Sequence, residues 1–206
     1  MALRRSLAEP WLALLVMLLA GPAAASGAEA QALVRSTADR VLAEVKANKA
    51  RLERDSSGIY DLVQRYVVPH FDFARMTQSA MGRHWRAATD EQRAALTREF
   101  QEMLVRTYAV ALLNYSGQQI EYLPLRAAAA DDDVLVQTKV SDAGAPSIPI
   151  DYRLSRSVGN WKVYDVTIDG VSLVSNYRSM FAEQVQRAGV DGLIKQLSDR
   201  NRQLRG

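Results

Sequence analysis

Trp161 to Leu193 reads WKVYDVTIDGVSLVSNYRSMFAEQVQRAGVDGL, and its hydrophobic period changes part-way through. Val163, Tyr164, Val166 and Ile168 mark an apolar strand. After Asp169-Gly170, a turn pair, Leu173, Tyr177, Met180, Phe181 and Val185 recur at helical spacing. A strand feeding a helix with so broad an apolar face has two readings, of which periodicity alone favours the first. One is an ordinary α+β core, and the other is a half-open pocket between sheet and helix.

Upstream of this stretch the period is two. Ile120 to Leu125, Val134 to Val140, Ile148 to Leu154 and Trp161 to Ile168 read as four strands separated by turn-rich clusters. Links this short favour antiparallel neighbours, because parallel ones need long crossovers. One face is apolar, and the other carries Gln137, Lys139, Asp151 and Arg153. Further upstream the period is helical. Leu33, Val34, Val41, Leu42 and Val45 form a stripe over residues 31 to 48. A second helix starts near Gly58 and ends before Pro69, and a short one carries Phe71, Phe73 and Met76. Thr89 and Gln92 have capping-box spacing. They open a long helix through Leu96, Phe100, Met103, Leu104, Tyr108, Ala111, Leu112 and Tyr115, which Ser116-Gly117 stops. The expected fold is α+β: a helical N-terminal half, a four-stranded antiparallel sheet, and C-terminal helices over its apolar face.

Arg4 and Arg5, the apolar run Trp11 to Ala20 and the small residues Ala23 to Ala25 have the layout of a secretory signal peptide. Cleavage near Ala25 leaves 181 of the 206 residues as a single domain, 26–206, and the apolar run is short for a membrane span. Of 26 basic and 23 acidic residues, Arg4, Arg5 and Glu9 leave with the leader, so the mature balance is 24 to 22 with no nucleic-acid footprint. The chain has no cysteine, which excludes disulfides and a lipid-anchor site. Only His70 and His84 are imidazoles, so neither a metal nor another cofactor is expected. Asp131-Asp132-Asp133 lacks the ligand spacing of a calcium loop. Asp165 beside Tyr164 is the best candidate for proton-transfer chemistry on an apolar substrate, against the plainer reading of a solvated Asp165.

The segments together resemble the MlaC family, also called toluene-tolerance Ttg2-type proteins. The resemblance is carried by Tyr66 to Thr77, Ala88 to Arg93 with Phe100 and Tyr108-Ala109, and Asn160-Trp161 with Tyr164-Asp165. Gly170 to Leu173, Tyr177-Arg178 with Phe181, and Gly189 to Leu193 complete it. It implies a soluble periplasmic phospholipid carrier and no enzyme. Its partners would be phospholipid, an inner-membrane ABC transporter complex and an outer-membrane lipoprotein-porin complex. Acyl tails would fill an apolar cavity. A chaperone for lipoprotein acyl chains is the alternative within a binding class.

Pattern, without a motif behind it, places the cavity wall on Val134, Val136, Val140, Ile150, Tyr152, Leu154 and Val163 of the sheet. Facing them are Leu104, Tyr108, Leu112, Val171, Tyr177 and Phe181. Each of these positions serves equally well as plain core. Arg153, Arg156 and Arg178 are the candidates for meeting a headgroup, and weak headgroup selectivity is expected.

Overall fold

Helical period governs the chain up to Asn114 and strand period takes over from Gln119. The computed structural model describes residues 22–55, 57–114, 117–125, 132–142, 146–157 and 159–205. The leader up to residue 21, Tyr115, Ser116 and Asp131 therefore lie outside the described residues, and the expected cleavage point at Ala25 falls in the first turn of α1.

The helices are α1 (Pro22–Ala47), α2 (Lys49–Arg54), α3 (Ser57–Tyr66), α4 (Phe73–Met81) and α5 (Asp90–Ala109). A 3-10 turn, Val68–His70, links α3 to α4. There Phe71 forms a single parallel bridge to Val163, and the Asp72 amide donates to the Val163 carbonyl at 2.8 Å. This contact ties the helical half to the sheet at Val163. The capping box at Thr89 is made in full: the Gln92 amide donates to Thr89 Oγ1 at 3.2 Å, and the Thr89 amide donates to Gln92 Oε1 at 3.0 Å. It fixes the start of α5.

Helix α1 begins at Pro22, ahead of the expected residue 31, and α2 is an additional short turn of helix. Helix α5 tightens at its end into a 3-10 segment, Val110–Asn114. The tighter winding rotates the last apolar positions, leaving Ala111 exposed and Leu112 half-buried. Val105 and Ala109, outside the expected stripe, are buried. Helix α5 is thus packed on two faces.

The sheet is β1 (Gln119–Tyr122), β2 (Asp133–Ser141), β3 (Ile148–Ser157), β4 (Asn160–Ile168) and β5 (Val171–Ser172). All neighbours are antiparallel, in the order β1-β2-β3-β4-β5. It has five strands and not the four expected. Asp169 and Gly170 both take positive φ, 50° and 79°, which reverses the chain tightly enough for Ile168 to pair with Val171 before α6 begins. Two residues of strand are too short to leave a period. Ser172 then caps α6 (Leu173–Gln203) by accepting from the Ser175 amide.

The C-terminal helices follow one another as α6, bent where Gly189 takes φ 71°. Helix α6 packs between α4 and α5, and the first turn of the helix meets β4 and β5. Leu173 and, more extensively, Ala30, Leu33 and Val34 of α1 lie against the apolar face of the sheet. In β3 and β4 the pairing steps from Arg153–Asp165 to Leu154–Val163, leaving Tyr164 as the extra residue of a bulge.

Candidate functional site

Among the described residues, the buried apolar side chains fall into three groups. The first lies between α4, α5 and α6. Its centre is Phe100, packed edge-on against Tyr177 and Phe181 with ring centroids 5.0 Å apart in each pair. Of the residues read from pattern, Leu104, Tyr177 and Phe181 are here, with Tyr108 on the margin. The second group is the sheet layer under α1, which holds Val134, Val136, Leu154 and Val163, with Ile150 and Tyr152 at its edge. The third joins α1, α2, α3 and α5, and Leu112 borders it. Val140 and Val171 belong to none of them; Val140 is half-buried, and Val171 is 56% exposed. Half-buried residues connect the groups: Phe71 touches the first and the sheet layer, and Val68 touches the first and the third.

The sheet layer differs along its length. Toward Val134, Leu154 and Trp161 the apolar face is buried. At the opposite end Val140 faces Ile148, Ile150 faces Ile168, and Ile168 faces Val171, a continuous apolar strip across β2 to β5. Ile148 in this strip is 49% exposed. Water therefore reaches one end of an apolar surface whose other end is deep in the molecule.

Hydroxyls line the same layer. Tyr152 is pushed up to about 12, first by burial and then by the neighbouring Tyr122, against the opposing hydrogen bond with Thr138. Thr138 itself donates to the Ile150 carbonyl at 2.8 Å. Tyr122 is also raised, by burial and then by the charge of Asp39, and its hydroxyl is buried without a hydrogen-bond partner among the described residues. The Arg35 guanidinium lies 3.8 Å from the centre of the Tyr122 ring.

The opposite face of the sheet holds the pair singled out for proton transfer. Asp165 accepts from the Val166 amide at 2.9 Å, the Val174 amide at 3.2 Å and Ser172 Oγ at 2.7 Å. These bonds make it the anchor of the first turn of α6. Tyr164 donates to Asp133 at 2.8 Å beneath the Arg75 guanidinium, which sits 3.6 Å from its ring centre. Its hydroxyl is raised, by burial and then by that bond to Asp133. A hollow of about 290 Å³ opens here beside Ser79, Arg153 and Thr167. Both candidate side chains thus hold structural bonds that proton transfer would have to break.

The arginines considered for a headgroup stand apart from the strip. Arg153 lies in that hollow, Arg156 pairs with Glu29 of α1 at 2.7 Å, and Arg178 is exposed against Gly82. Among the described residues no cluster of three or more His, Asp or Glu side chains is placed to hold a metal ion. No helix among them is long and apolar enough to cross a membrane. Arg35, Tyr122 and Phe71 were not singled out for the site by sequence pattern. Alternation places Tyr122 inward, but the stacking of Arg35 upon it depends on how α1 lies over the sheet layer.

The family model for the MlaC protein matches residues 35–199. The toluene tolerance protein ttg2D of Pseudomonas putida is 32% identical over 182 residues, spanning 86% of this chain and 83% of that protein. The intermembrane phospholipid transport system binding protein MlaC of Haemophilus influenzae is 23% identical over 168 residues, 80% of this chain and 78% of that one. Among solved structures, the phospholipid-binding protein of Ralstonia solanacearum in complex with a phospholipid superposes with a TM-score of 0.79. It is 42% identical, and the match covers 86% of this chain and 99% of that chain.

Proposed function

The chain belongs to the MlaC family, and on that premise we propose that it is a periplasmic carrier that moves phospholipid between the outer and inner membranes. The observation that carries this reading is the apolar strip from the buried sheet layer to the exposed Ile148 and Val171. A carrier needs apolar walls that a lipid can enter from outside, and this surface has that form. Val134, Val136, Val140, Ile150, Tyr152, Leu154, Val163 and Val171 form its sheet side. The helical residues Leu104, Tyr108, Leu112, Tyr177 and Phe181 back this wall through the shared contacts of Val68 and Phe71 and stay packed as the tails enter.

At about 0.8 kcal/mol per buried methylene, two acyl chains gain on the order of 20 kcal/mol on leaving water. Free lipid in the periplasm is then negligible, while transfer from a bilayer into the protein is nearly neutral. Direction is left to the partners: an ABC transporter complex in the inner membrane and a lipoprotein-porin complex in the outer. The leader is removed near Ala25, and residues 26–206 act as one domain. Binding is the whole of the activity, and Asp165 and Tyr164 serve the fold.

Native mass spectrometry of the protein purified from periplasm without detergent, with lipid extraction, tests this reading. The expected result is the mature mass carrying phospholipid at near-stoichiometric occupancy. The mature mass alone, even after incubation with phospholipid vesicles, overturns it. Triacylated protein in place of phospholipid redirects the reading to a lipoprotein chaperone.

A further inference from the structure

The Tyr122 hydroxyl is buried and has no hydrogen-bond partner among the described residues. Tyr122 lies opposite Thr138 in the β1–β2 pairing and packs at the edge of the sheet layer. The nearby hydroxyls are engaged: Thr138 donates to the Ile150 carbonyl and is hydrogen-bonded with Tyr152. A buried hydroxyl without a protein partner is left to bond a ligand or a water molecule. Arg35 covers the same ring with its guanidinium 3.8 Å from the centroid. It is exposed and makes no hydrogen bond or ion pair with another described residue. Stacking engages the flat face of a guanidinium and leaves its N–H edge directed outward, the geometry that pairs with phosphate.

We propose that Arg35 and Tyr122 hold the phosphodiester of the bound lipid. The guanidinium pairs with a phosphate oxygen at the surface, and the hydroxyl donates to a phosphate or ester oxygen one step deeper. This inference rests on the carrier reading and adds the place where the headgroup is read. Asp39, one turn along α1, places a negative charge near the same hydroxyl, so the phosphate is held chiefly through Arg35.

The test uses the mature chain and two vesicle preparations, one carrying labelled phosphatidylethanolamine and one carrying labelled diacylglycerol with the same acyl chains. Wild type is expected to prefer the phospholipid by about tenfold to a hundredfold, the scale of one charge-assisted hydrogen bond. Arg35→Gln should abolish most of that preference while leaving diacylglycerol uptake unchanged, and Arg35→Lys should keep part of it. Tyr122→Phe should lose about three- to tenfold with an unchanged or raised melting temperature, since no protein bond is removed. Retention of the full preference by both Arg35→Gln and Tyr122→Phe overturns the assignment while the carrier reading stands. So does millimolar inorganic phosphate binding through Arg35 without displacing lipid, which makes this a free-phosphate site. If wild type takes up neither lipid, the carrier reading falls and this inference with it.

Discussion

The core between α4, α5 and α6 and the layer between α1 and the sheet are both apolar, yet they are finished differently. In the first, Phe100, Phe181, Met76 and Leu96 are fully buried, and three aromatic rings interlock. In the second, buried valines grade into exposed Ile148 and Val171, and a tyrosine hydroxyl meets no hydrogen-bond partner among the described residues. Dense packing of the first kind gives one rigid arrangement. A layer of the second kind leaves packing energy unclaimed, which a ligand is able to supply. The contrast teaches that stability and capacity are assigned to different parts of one small fold.

The largest expected effect lies in the helical core. Phe100→Ala or Phe181→Ala should destabilise the protein by about 3–5 kcal/mol in urea unfolding, from lost burial plus the cavity left behind. A loss below about 1 kcal/mol would erase the distinction between the regions. Next is Asp165→Asn at the junction of sheet and α6, where the charged acceptor of two amides and Ser172 is weakened. A cost of about 1–3 kcal/mol is expected, with lipid occupancy per folded molecule unchanged in native mass spectra. Loss of occupancy without loss of stability would instead assign Asp165 to the site. Thr89→Ala removes half of the capping box and should cost about 1 kcal/mol by thermal unfolding.

Val171→Asp at the open strip should shift stability by no more than about 0.5 kcal/mol, as surface changes do, yet reduce lipid occupancy several-fold. Equal occupancy in wild type and Val171→Asp would detach the strip from binding. The smallest effect concerns His70, in the turn where the regions meet. Its pKa is lowered, first by burial and then by Lys162. The unfolded chain therefore binds the proton more readily than the folded one, so stability declines as pH falls through 6.5 toward the folded pKa. His70→Gln should flatten that part of the pH–stability curve.

What was legible in the sequence is what is local. The Thr89–Gln92 box, the Asp169–Gly170 turn and the alternation of β2 to β4 are each decided by neighbours a few residues apart, and each stands as expected. Period also tells which residues turn inward, and Leu104, Val136, Leu154 and Phe181 are buried. It does not tell which partner they turn toward, so residues read as one wall are divided among three packed groups. Val105 and Ala109 escaped notice because α5 meets helices on two sides, which blurs a single stripe. Nothing in the period marks Arg35, which stands on Tyr122 only because α1 lies against the sheet layer.

The central claim, that lipid occupies the sheet layer and not the helical core, is tested most directly by photo-crosslinking. A benzophenone amino acid is placed at exposed Ile148 in the strip or at comparably exposed Met180 on α6, and the protein is loaded from phospholipid vesicles. Crosslinked lipid at position 148 with little at position 180 is the predicted result. Equal crosslinking at both positions, or crosslinking at 180 alone, contradicts it.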